Sequence, residues 1–329
     1  MKLRRAFAAG VSAILLLTLT AVLPSAYATT PLRVGVAYDT GGPGDHSFDD
    51  AVVQGLDMAA KRFPIQISAT VTIGSDADRE LRLRSLVAKD CNPIIAVGSG
   101  YAAALKNVAI SFPSTQFVIV NDASIGMLNV TSLVFSENQG GYLAGVTAAL
   151  ATRTGKIGLV STTDSMYASG FTAGAQDVKK NITVYARYGS DTALTLTNDL
   201  IRAGTDVIFL TIAGSGSEIL KAVATANKDG TKVALIFVEP DQYVTLPAGS
   251  KRYILASLVK RVDKAIVNVI SESVSGRTVI DVLDAKLGIY GRRYGIQNGG
   301  IEISLWSPRV SKYRKVIISA AVKASKLSL

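Results

Sequence analysis

Short apolar runs alternate with longer amphipathic segments along the chain from residue 32 onward. The runs predict strands at 32–38, 94–97, 117–121, 156–160, 207–211, 233–238 and 253–257. The segments between them carry apolar residues at helical spacing and predict helices at 47–62, 78–89, 137–151, 167–179, 215–228 and 262–275. This alternation is typical of βαβ units on a parallel sheet, so the predicted fold class is α/β.

The series of units restarts near residues 154–156, which predicts a second lobe. Pro247 and Gly249 interrupt the pattern again and indicate a further hinge. We therefore predict two doubly wound, Rossmann-like lobes with a hinged cleft between them. The predicted boundaries are 32–153 with about 254–285 for the first lobe, and 154–250 with about 286–329 for the second. Open α/β sheets bind ligands beyond the carboxyl ends of their strands, so we expect the site at those turns.

The first 28 residues have the pattern of an export signal. Basic residues at the amino terminus precede an apolar run over 6–23, and the small-residue sequence Ala-Tyr-Ala ends at Ala28. We predict that residues 1–28 are a signal peptide cleaved after Ala28. The mature protein is then extracytoplasmic, at the cell surface or associated with the membrane. The apolar run is also about as long as a membrane span, so an uncleaved anchor is the alternative.

Composition excludes several kinds of chemistry. The chain has 329 residues, 48% apolar and 18% charged, which is typical of a globular protein. A single cysteine, Cys91, and a single histidine, His46, exclude an internal disulfide, a Cys/His zinc site and most Cys/His nucleophiles. The net charge is +10, and basic residues thicken near the end of the chain, at Arg309, Lys312, Arg314, Lys315, Lys323 and Lys326. They form no stripe with interleaved aromatics, so we expect no nucleic-acid partner; a basic surface facing an anionic cell surface is the simpler interpretation.

The first predicted strand ends in a glycine-rich, acidic loop. It runs from Asp39 to Asp49 as Asp-Thr-Gly-Gly-Pro-Gly-Asp-His-Ser-Phe-Asp. A phosphate cradle is unfavourable here, because the loop has no lysine and its carboxylates would repel the anion. Carboxylates instead accept hydrogen bonds from hydroxyls and amines, which favours a neutral ligand with hydroxyl groups. The Phe48 ring has two interpretations: it stacks on a ligand, or it packs under the loop as a hydrophobic staple.

Other predicted strands also end in polar residues. They supply Asp122, Gly214, Glu239 and Lys260. Singly, each has an ordinary structural interpretation, such as capping a turn or preceding a helix. Together they would place carboxylates, glycine amides and a cation around one cleft, which suits a polar ring that bears a sugar. Because the sequence shows no nucleophile and base pair, we predict binding without catalysis, and no metal or other cofactor.

Six ordered motifs run along the predicted mature chain. They are DHSFD at 45–49, ENQGGYLAG at 137–145, GFTAGA at 170–175, AGSG at 213–216, VEPDQ at 238–242 and SLVKRVD at 257–263. Together they resemble the basic membrane protein family of substrate-binding proteins, whose best-characterised branch is the purine nucleoside receptor of ABC importers. The resemblance implies the fold of type I periplasmic binding proteins and a non-enzymatic receptor. The expected partners are a nucleoside-like small molecule and an ABC permease in the membrane, and we expect the receptor to be a monomer.

The resemblance also implies which residues bind the ligand. The predicted ligand-binding residues are Asp39, Ser47, Phe48, Asp49, Asp122, Gly214, Glu239 and Lys260. Three features depart from the family pattern. Asp49 replaces an asparagine, Asp191 lies where a second aromatic ring is expected, and the Ala28–Thr29 site has no cysteine for lipid attachment. The first two changes fall where a base would be read, so they bear on ligand choice rather than on the fold.

Two other functions stay open at this point. The carboxylates of Asp39, Asp45 and Asp49 superficially resemble the calcium-type cluster of a nucleoside hydrolase, although further oxygen ligands are not evident. The basic surface and the missing lipid anchor also suit an exported ligand-binding surface protein that has no permease. The export leader and the lack of a helix-turn-helix module argue against a repressor.

Overall fold

The structure is a computed structural model, and it describes residues 31–44, 48–163, 165–189, 193–212, 216–238 and 241–327. The strands in these residues are β1 (Leu32–Tyr38), β2 (Ile65–Val71), β3 (Ile94–Val97), β4 (Phe117–Val120), β5 (Val130–Phe135), β6 (Lys156–Ser161), β7 (Thr183–Tyr188), β8 (Val207–Leu210), β9 (Ala234–Val238), β10 (Ile254–Lys260), β11 (Val282–Asp284), β12 (Ile289–Tyr294) and β13 (Ile301–Leu305). The helices are α1 (Phe48–Ala60), α2 (Asp76–Val87), α3 (Ala102–Ser111), α4 (Glu137–Ala151), α5 (Met166–Val178), α6 (Ala193–Arg202), α7 (Gly216–Lys228), α8 (Gln242–Thr245), α9 (Ala248–Lys251), α10 (Val262–Val274), α11 (Pro308–Ser311) and α12 (Arg314–Ala324).

Two mixed sheets of mostly parallel strands form the framework. Across the described residues the first sheet has the order β11-β12-β5-β4-β3-β1-β2, and the second has the order β13-β10-β9-β8-β6-β7. Paired strands are parallel except β11 with β12 and β13 with β10. Helices flank both sheets, so the protein has the two α/β lobes that the hydrophobic pattern predicts.

The central strands are buried on both faces. Every residue of β3, β4 and β8 is buried, as expected for short apolar strands covered by helices on both sides. Helix α1 contributes an apolar stripe that consists of Val52, Leu56 and Ala59 at helical spacing. Strands β2 and β7 lie at sheet edges and are mostly half-buried or exposed.

The chain passes between the lobes at three places within the described residues. Helix α4 follows β5 of the first sheet but packs against β8, β10 and β13 of the second. Helix α10 follows β10 of the second sheet but packs against α1 of the first lobe. The remaining crossing lies between β12 and β13, which belong to different sheets.

These crossings correct the predicted lobe boundaries. The prediction assigned 137–151 and 254–260 to the first lobe and 289–294 to the second. In the structure β10 pairs with β9, β12 pairs with β5, and α4 packs on the second sheet. The reason is that the hydrophobic period identifies an element but not the sheet that buries it.

Helices α4 and α5 contact each other through glycines. A Cβ atom at Gly145 would lie 2.0 Å from the carbonyl oxygen of Phe171, and one at Gly174 would lie 2.1 Å from that of Tyr142. Both distances are far shorter than a van der Waals contact, so the two backbones approach this closely only because these residues lack a side chain. The contact fixes α4, and with it Glu137 at its first turn, to the second lobe.

Candidate functional site

A cavity of about 390 Å³ lies at the carboxyl ends of strands from both sheets. Its lining residues are Asp39, Phe48, Gly98, Ser99, Gly100 and Asn121 from the first lobe, and Glu137, Ser161, Thr162, Thr163, Ser165, Tyr167, Thr211, Val238 and Lys260 from the second. The volume is within the range of small-molecule sites, and the position is where open α/β folds bind ligands. We refer to it as the cleft cavity.

Asp39 follows β1 directly, and its carboxylate is held in place. Its Oδ1 accepts hydrogen bonds from Nη2 of Arg79 at 2.8 Å and from the backbone N–H of Thr40 at 2.9 Å. Arg79 also donates to Asp76 at 3.2 Å, and hydrogen bonding to Asp39 raises the pKa of the guanidinium. A Cβ atom at Gly100 would lie 2.5 Å from Oδ2 of Asp39. One carboxylate oxygen is therefore anchored, and the other borders the glycine turn that lines the cavity.

Lys260 ends β10 and carries a buried positive charge at the crossing to α10. The residue is 6% exposed, and its Nζ donates to Oε1 of Glu137 at 2.9 Å and to Oδ1 of Asn121 at 3.2 Å. The ring centroids of Phe48, Phe135 and Tyr167 lie 6.0, 5.8 and 5.6 Å from the same nitrogen. A carboxylate and several ring faces offset the cost of burying this ammonium group. Because Asn121 belongs to the first lobe, Lys260 also joins the two lobes.

Phe48 is half-buried at the first residue of α1. Its ring packs against the main hydrophobic core and also lines the cleft cavity. The staple interpretation therefore explains one side of the ring, and the other side is in place for stacking. Whether a ligand uses it stays a prediction.

The second lobe contributes a wall of hydroxyl groups to the cleft cavity. These belong to Ser161, Thr162, Thr163, Ser165 and Thr211, at the ends of β6 and β8 and the start of α5. Ser161 Oγ lies 3.5 Å from Ser165 Oγ, and Thr211 Oγ1 donates to the carbonyl of Val160 at 3.3 Å. Hydroxyls both donate and accept hydrogen bonds, so this wall can contact hydroxyl or carbonyl groups of a bound molecule.

Residues 33–326 match the family model Bmp, described as the ABC transporter substrate-binding protein PnrA-like. The chain belongs to the Bmp family. This family consists of substrate-binding proteins rather than enzymes, and the resemblance seen in the sequence motifs is thereby confirmed. A cleft between two lobes agrees with a binding role.

Two curated proteins show how the Bmp family chain compares with relatives. It is 31% identical over 263 residues to the CD4+ T-cell-stimulating antigen of Listeria monocytogenes, covering 74% of each chain. It is 27% identical over 300 residues to the ABC transporter nucleoside-binding protein BmpA of Lactococcus lactis, covering 84% of this chain and 82% of the relative. The relatedness therefore extends over most of the length of both proteins.

Solved structures confirm the fold of this Bmp family chain. A transcriptional activator of the comK gene from Bacillus halodurans superposes with a TM-score of 0.74 and 22% identity, covering 90% of this chain and 98% of that one. A solute-binding protein of an ABC transporter system from Aeropyrum pernix K1 superposes with a TM-score of 0.70 and 21% identity, covering 89% and 85%. The predicted architecture of two doubly wound lobes is confirmed.

The structure brings some of the predicted ligand-binding residues together and separates others. Asp39, Phe48 and Lys260 all line the cleft cavity. Asp49 does not, because the helical turn after Phe48 rotates it into the protein, where it is 7% exposed. Burial, together with the nearby charge of Asp49, raises the pKa of Tyr38.

Asp122 is also displaced from the cleft cavity. Its carboxylate accepts hydrogen bonds from the backbone N–H of Ser124 at 2.8 Å and from the Ser124 hydroxyl at 2.7 Å, so it closes a local turn. It lines a neighbouring cavity instead. Asn121, with a left-handed φ of 65°, turns toward Lys260 in its place. The remaining predicted residues, Ser47, Gly214 and Glu239, lie outside the described residues.

Several lining residues were not predicted from the sequence. Glu137 begins a predicted helix and Asn121 precedes the predicted Asp122, yet neither was assigned to the site. Ser161 follows the predicted strand 156–160, and Thr211 ends the predicted strand 207–211. The rule that found Lys260 would therefore also have found these two hydroxyls. Arg79 had no such signal, since only the packing of α2 beside β1 brings it to Asp39.

Among the described residues, no group of three His, Cys, Asp or Glu side chains is arranged to hold a metal ion. Likewise, none of the helices in this part of the chain combines the length and apolar character needed to cross a bilayer.

Proposed function

We propose that this chain is the extracytoplasmic solute-binding subunit of an ABC importer. It binds a nucleoside-like ligand in the cleft cavity and delivers it to a permease in the membrane. The observation that carries the proposal is the cleft cavity itself, in which both lobes place an aromatic ring, an anchored carboxylate and a buried lysine around one space of about 390 Å³. Such a site takes a small polar molecule.

The side chains of the cleft cavity favour a base attached to a sugar. The Phe48 ring offers a face on which a flat base stacks, an interaction that contributes about 1–3 kcal/mol. Asp39 accepts hydrogen bonds, and the hydroxyl wall both accepts and donates them, which suits the hydroxyl groups of a ribose. The Lactococcus lactis relative carries the name of a nucleoside-binding protein, which supports the same ligand class.

Ligand binding would couple to movement of the lobes. Lys260 and Glu137 lie beside two of the crossings between the lobes, and Lys260 bonds to Asn121 of the opposite lobe. A ligand in the cleft cavity therefore touches the residues that connect the lobes. If it binds one lobe arrangement better than the other, it shifts the population toward that arrangement, which the permease then recognises.

The proposal includes export of the protein across the cytoplasmic membrane, and it takes the exported receptor to be a monomer. The leader at residues 1–28 would direct it across the cytoplasmic membrane, where importers collect their solutes. Mass spectrometry of the secreted chain reads its first residue and tests cleavage after Ala28.

A thermal-shift screen tests the ligand class. The chain without its first 28 residues is mixed with purine and pyrimidine nucleosides, free bases, ribose and other sugars. A ligand at 100 times its dissociation constant stabilises the folded state by about 2.7 kcal/mol, so a shift confined to nucleosides is the expected result. Protein first unfolded and refolded without ligand is used, so that a copurified molecule does not mask binding. A shift with free sugars but not with nucleosides would contradict the proposal.

A second assay separates binding from turnover. The same protein is incubated with nucleosides, and the free base is measured by chromatography. We expect no release above that of a blank. Sustained release of base that disappears with Asp39→Ala would replace the receptor by a hydrolase.

A further inference from the structure

The last part of the chain has charges of one sign. From residue 303 to residue 329 there are six lysines and arginines and no aspartate or glutamate. In the structure this segment contains the end of β13, α11 and α12. The solute-binding function makes no use of it, since the residues found to line the cleft cavity belong to other elements.

Helix α12 has apolar side chains on a buried face and on an exposed face. On the inner face Ile317 and Ala324 are buried, and the helix packs against α4. On the outer face Ile318 and Val322 are each 60% exposed. Burial of an exposed isoleucine or valine against an apolar environment is favourable, so an outer face of this kind is suited to a partner.

The exposed apolar residues of α12 lie in line with lysines. Lys315, Ile318, Val322 and Lys326 follow one another at intervals of three or four residues, so they share one stripe on the outer face of the helix and its carboxyl end. Both lysines are exposed. Apolar side chains flanked by basic ones at this spacing are typical of helices that lie flat in a membrane interface.

The end of α5 extends the same basic surface. Val178 of α5 and Lys315 and Lys323 of α12 line an open groove of about 520 Å³ between the two helices. The carboxylate of Asp177 in this groove accepts hydrogen bonds from Lys323 and from the hydroxyl of Tyr142, and the bond from Lys323 lowers the pKa of Asp177. Its negative charge is thus paired within the groove. The two residues that directly follow α5, Lys179 and Lys180, are both exposed.

We propose that this surface, made of the outer side of α12 and the end of α5, docks on a membrane of anionic phospholipids. Ile318 and Val322 enter the headgroup region, while Lys315, Lys326 and the lysines after α5 pair with lipid phosphates. Each basic residue near such a surface strengthens binding about fivefold. The docking surface has several cations, and its one carboxylate is already paired. A membrane of anionic lipids therefore suits it better than a protein surface, which carries charges of both signs.

Docking by this surface leaves the cleft cavity free. It would hold the receptor at the membrane through contacts of its folded surface with lipid. The inference does not depend on which solute the cleft cavity binds. Because its attraction is electrostatic in part, binding should weaken as the salt concentration rises.

Vesicle cosedimentation tests the proposal. The probe is vesicles of phosphatidylglycerol mixed with phosphatidylcholine, compared with vesicles of phosphatidylcholine alone. The protein is the chain without its first 28 residues, because the apolar leader would itself enter a bilayer. The described residues that follow the leader form one compact unit. We expect binding to the anionic vesicles at low salt, a loss of that binding at high salt, and little binding to phosphatidylcholine.

Variants of exposed residues locate the binding surface. Lys315→Gln with Lys326→Gln removes two charges and should weaken binding about 25-fold. The matched control, Lys106→Gln with Lys228→Gln, removes two exposed lysines from other helices and should change it much less. Unfolding temperature, measured for each variant, shows that the fold is kept.

The apolar residues have a test of their own. Ile318→Ser with Val322→Ser keeps every charge and should weaken binding at least about fivefold, because the helix then has less apolar area to bury. If binding is unchanged, the surface only attracts anions, and the proposal that Ile318 and Val322 enter the headgroup region is wrong. Failure to bind the anionic vesicles, equal binding to both kinds of vesicle, or an equal loss in the control pair would overturn it as well.

Discussion

Arg79 determines how Asp39 is presented to the cleft cavity. Its two Nη atoms reach Asp39 at 2.8 Å and Asp76 at 3.2 Å, so it acts as a fork between two carboxylates. Replacement by glutamine removes the charge-assisted bond to Asp39, and such bonds contribute about 1.5–3 kcal/mol when well formed. Because both side chains are partly exposed, we expect Arg79→Gln to weaken ligand binding about tenfold, as measured by calorimetry with the nucleoside that gives the largest thermal shift.

Arg82 supplies the control for Arg79. It lies one turn further along α2 and pairs with Asp78 at 3.0 Å, outside the cleft cavity. Arg82→Gln should leave the affinity unchanged. Equal loss in the two variants would show that α2 acts through the stability of the lobe and not through Asp39.

Phe48 is the second residue whose role can be measured. Phe48→Ala should weaken binding of a nucleoside by about 1–3 kcal/mol, the contribution of stacking a base on a ring. The ring also packs on the core, so the variant is compared at a temperature where it is fully folded. Phe112→Ala, at the end of α3 and half-buried, is the matched control. If calorimetry gives the same dissociation constant for the wild type and Phe48→Ala, the ring only packs.

Sequence reasoning found the charged centres of the site but not their partners. Asp39 directly follows the predicted strand 32–38, and Lys260 lies shortly after the predicted strand 253–257; the carboxyl ends of strands are where α/β proteins bind ligands. Asp122 satisfied the same rule, yet the left-handed backbone at Asn121 turns the amide, and not the carboxylate, toward the cleft cavity. Arg79 lies on α2, which belongs to a different βαβ unit from Asp39. The hydrophobic pattern of a sequence does not show that these two side chains meet.

At the level of elements, burial alone does not decide what the sequence predicts, since β5 is buried at every residue and was not predicted. The bounds of β1, β3 and α4 are as predicted. Strands β2 and β7 were missed since edge strands keep polar residues on exposed positions. Strand β12, with the sequence IYGRRY, was missed because its two arginines interrupt the apolar pattern.

The contact between α4 and α5 depends on glycine. Gly145→Ala would place a methyl group 2.0 Å from the Phe171 carbonyl, so the helices must separate. We expect a loss of about 3 kcal/mol or more in the free energy of unfolding, measured in urea. Gly216→Ala is the control, because the added methyl group on α7 would meet the Phe237 ring at 3.9 Å, an ordinary van der Waals contact. It should be neutral or slightly stabilising; similar losses in both variants would contradict the close contact.

The carboxylate of Asp78, at the start of α2, should make the free energy of unfolding depend on pH. Asp78 accepts hydrogen bonds from Arg82, from the Thr72 hydroxyl and from the backbone of Ile73, and these bonds, that of Arg82 first, lower its pKa from 3.8 to about 2. The folded protein therefore keeps this carboxylate ionised at a pH where the unfolded chain binds a proton. Its contribution to stability is complete above the unfolded pKa and is lost as the pH falls toward 2.

Urea unfolding between about pH 2 and pH 6 tests this acid dependence. Asp78→Asn should be less stable than the wild type at pH 6, and the two curves should converge as the pH approaches 2. Asp229→Asn, at the exposed end of α7, should follow the wild type throughout. A constant difference between wild type and Asp78→Asn at every pH would show that the hydrogen bonds act without ionisation.

At the scale of the whole molecule, the two lobes were predicted and their boundaries were not. The number of βαβ units gives two sheets, but α4, β10 and β12 each lie in the lobe opposite to the predicted one. A sequence pattern treats neighbours in the chain as neighbours in space, and a fold with several crossings breaks that rule. The consequence is functional, because Glu137 and Lys260 lie beside these crossings as well as in the cleft cavity.

The bond between Lys260 and Asn121 gives a way to shift the balance between lobe arrangements. Asn121 has a left-handed φ of 65°, which glycine, asparagine and aspartate adopt most readily. Asn121→Gly keeps the left-handed backbone but removes the hydrogen bond between the lobes. Asn121→Asp keeps both the backbone and the bond, and adds a negative charge opposite Lys260. A hydrogen bond to a charged group contributes about 1.5–3 kcal/mol, enough to change a two-state ratio tenfold or more. The measurement is small-angle X-ray scattering without ligand, so that effects of the variants on ligand contacts do not enter. Asn121→Gly should have a larger radius of gyration than Asn121→Asp. Equal radii for the two variants would mean that the lobes are held by their crossings and not by this contact.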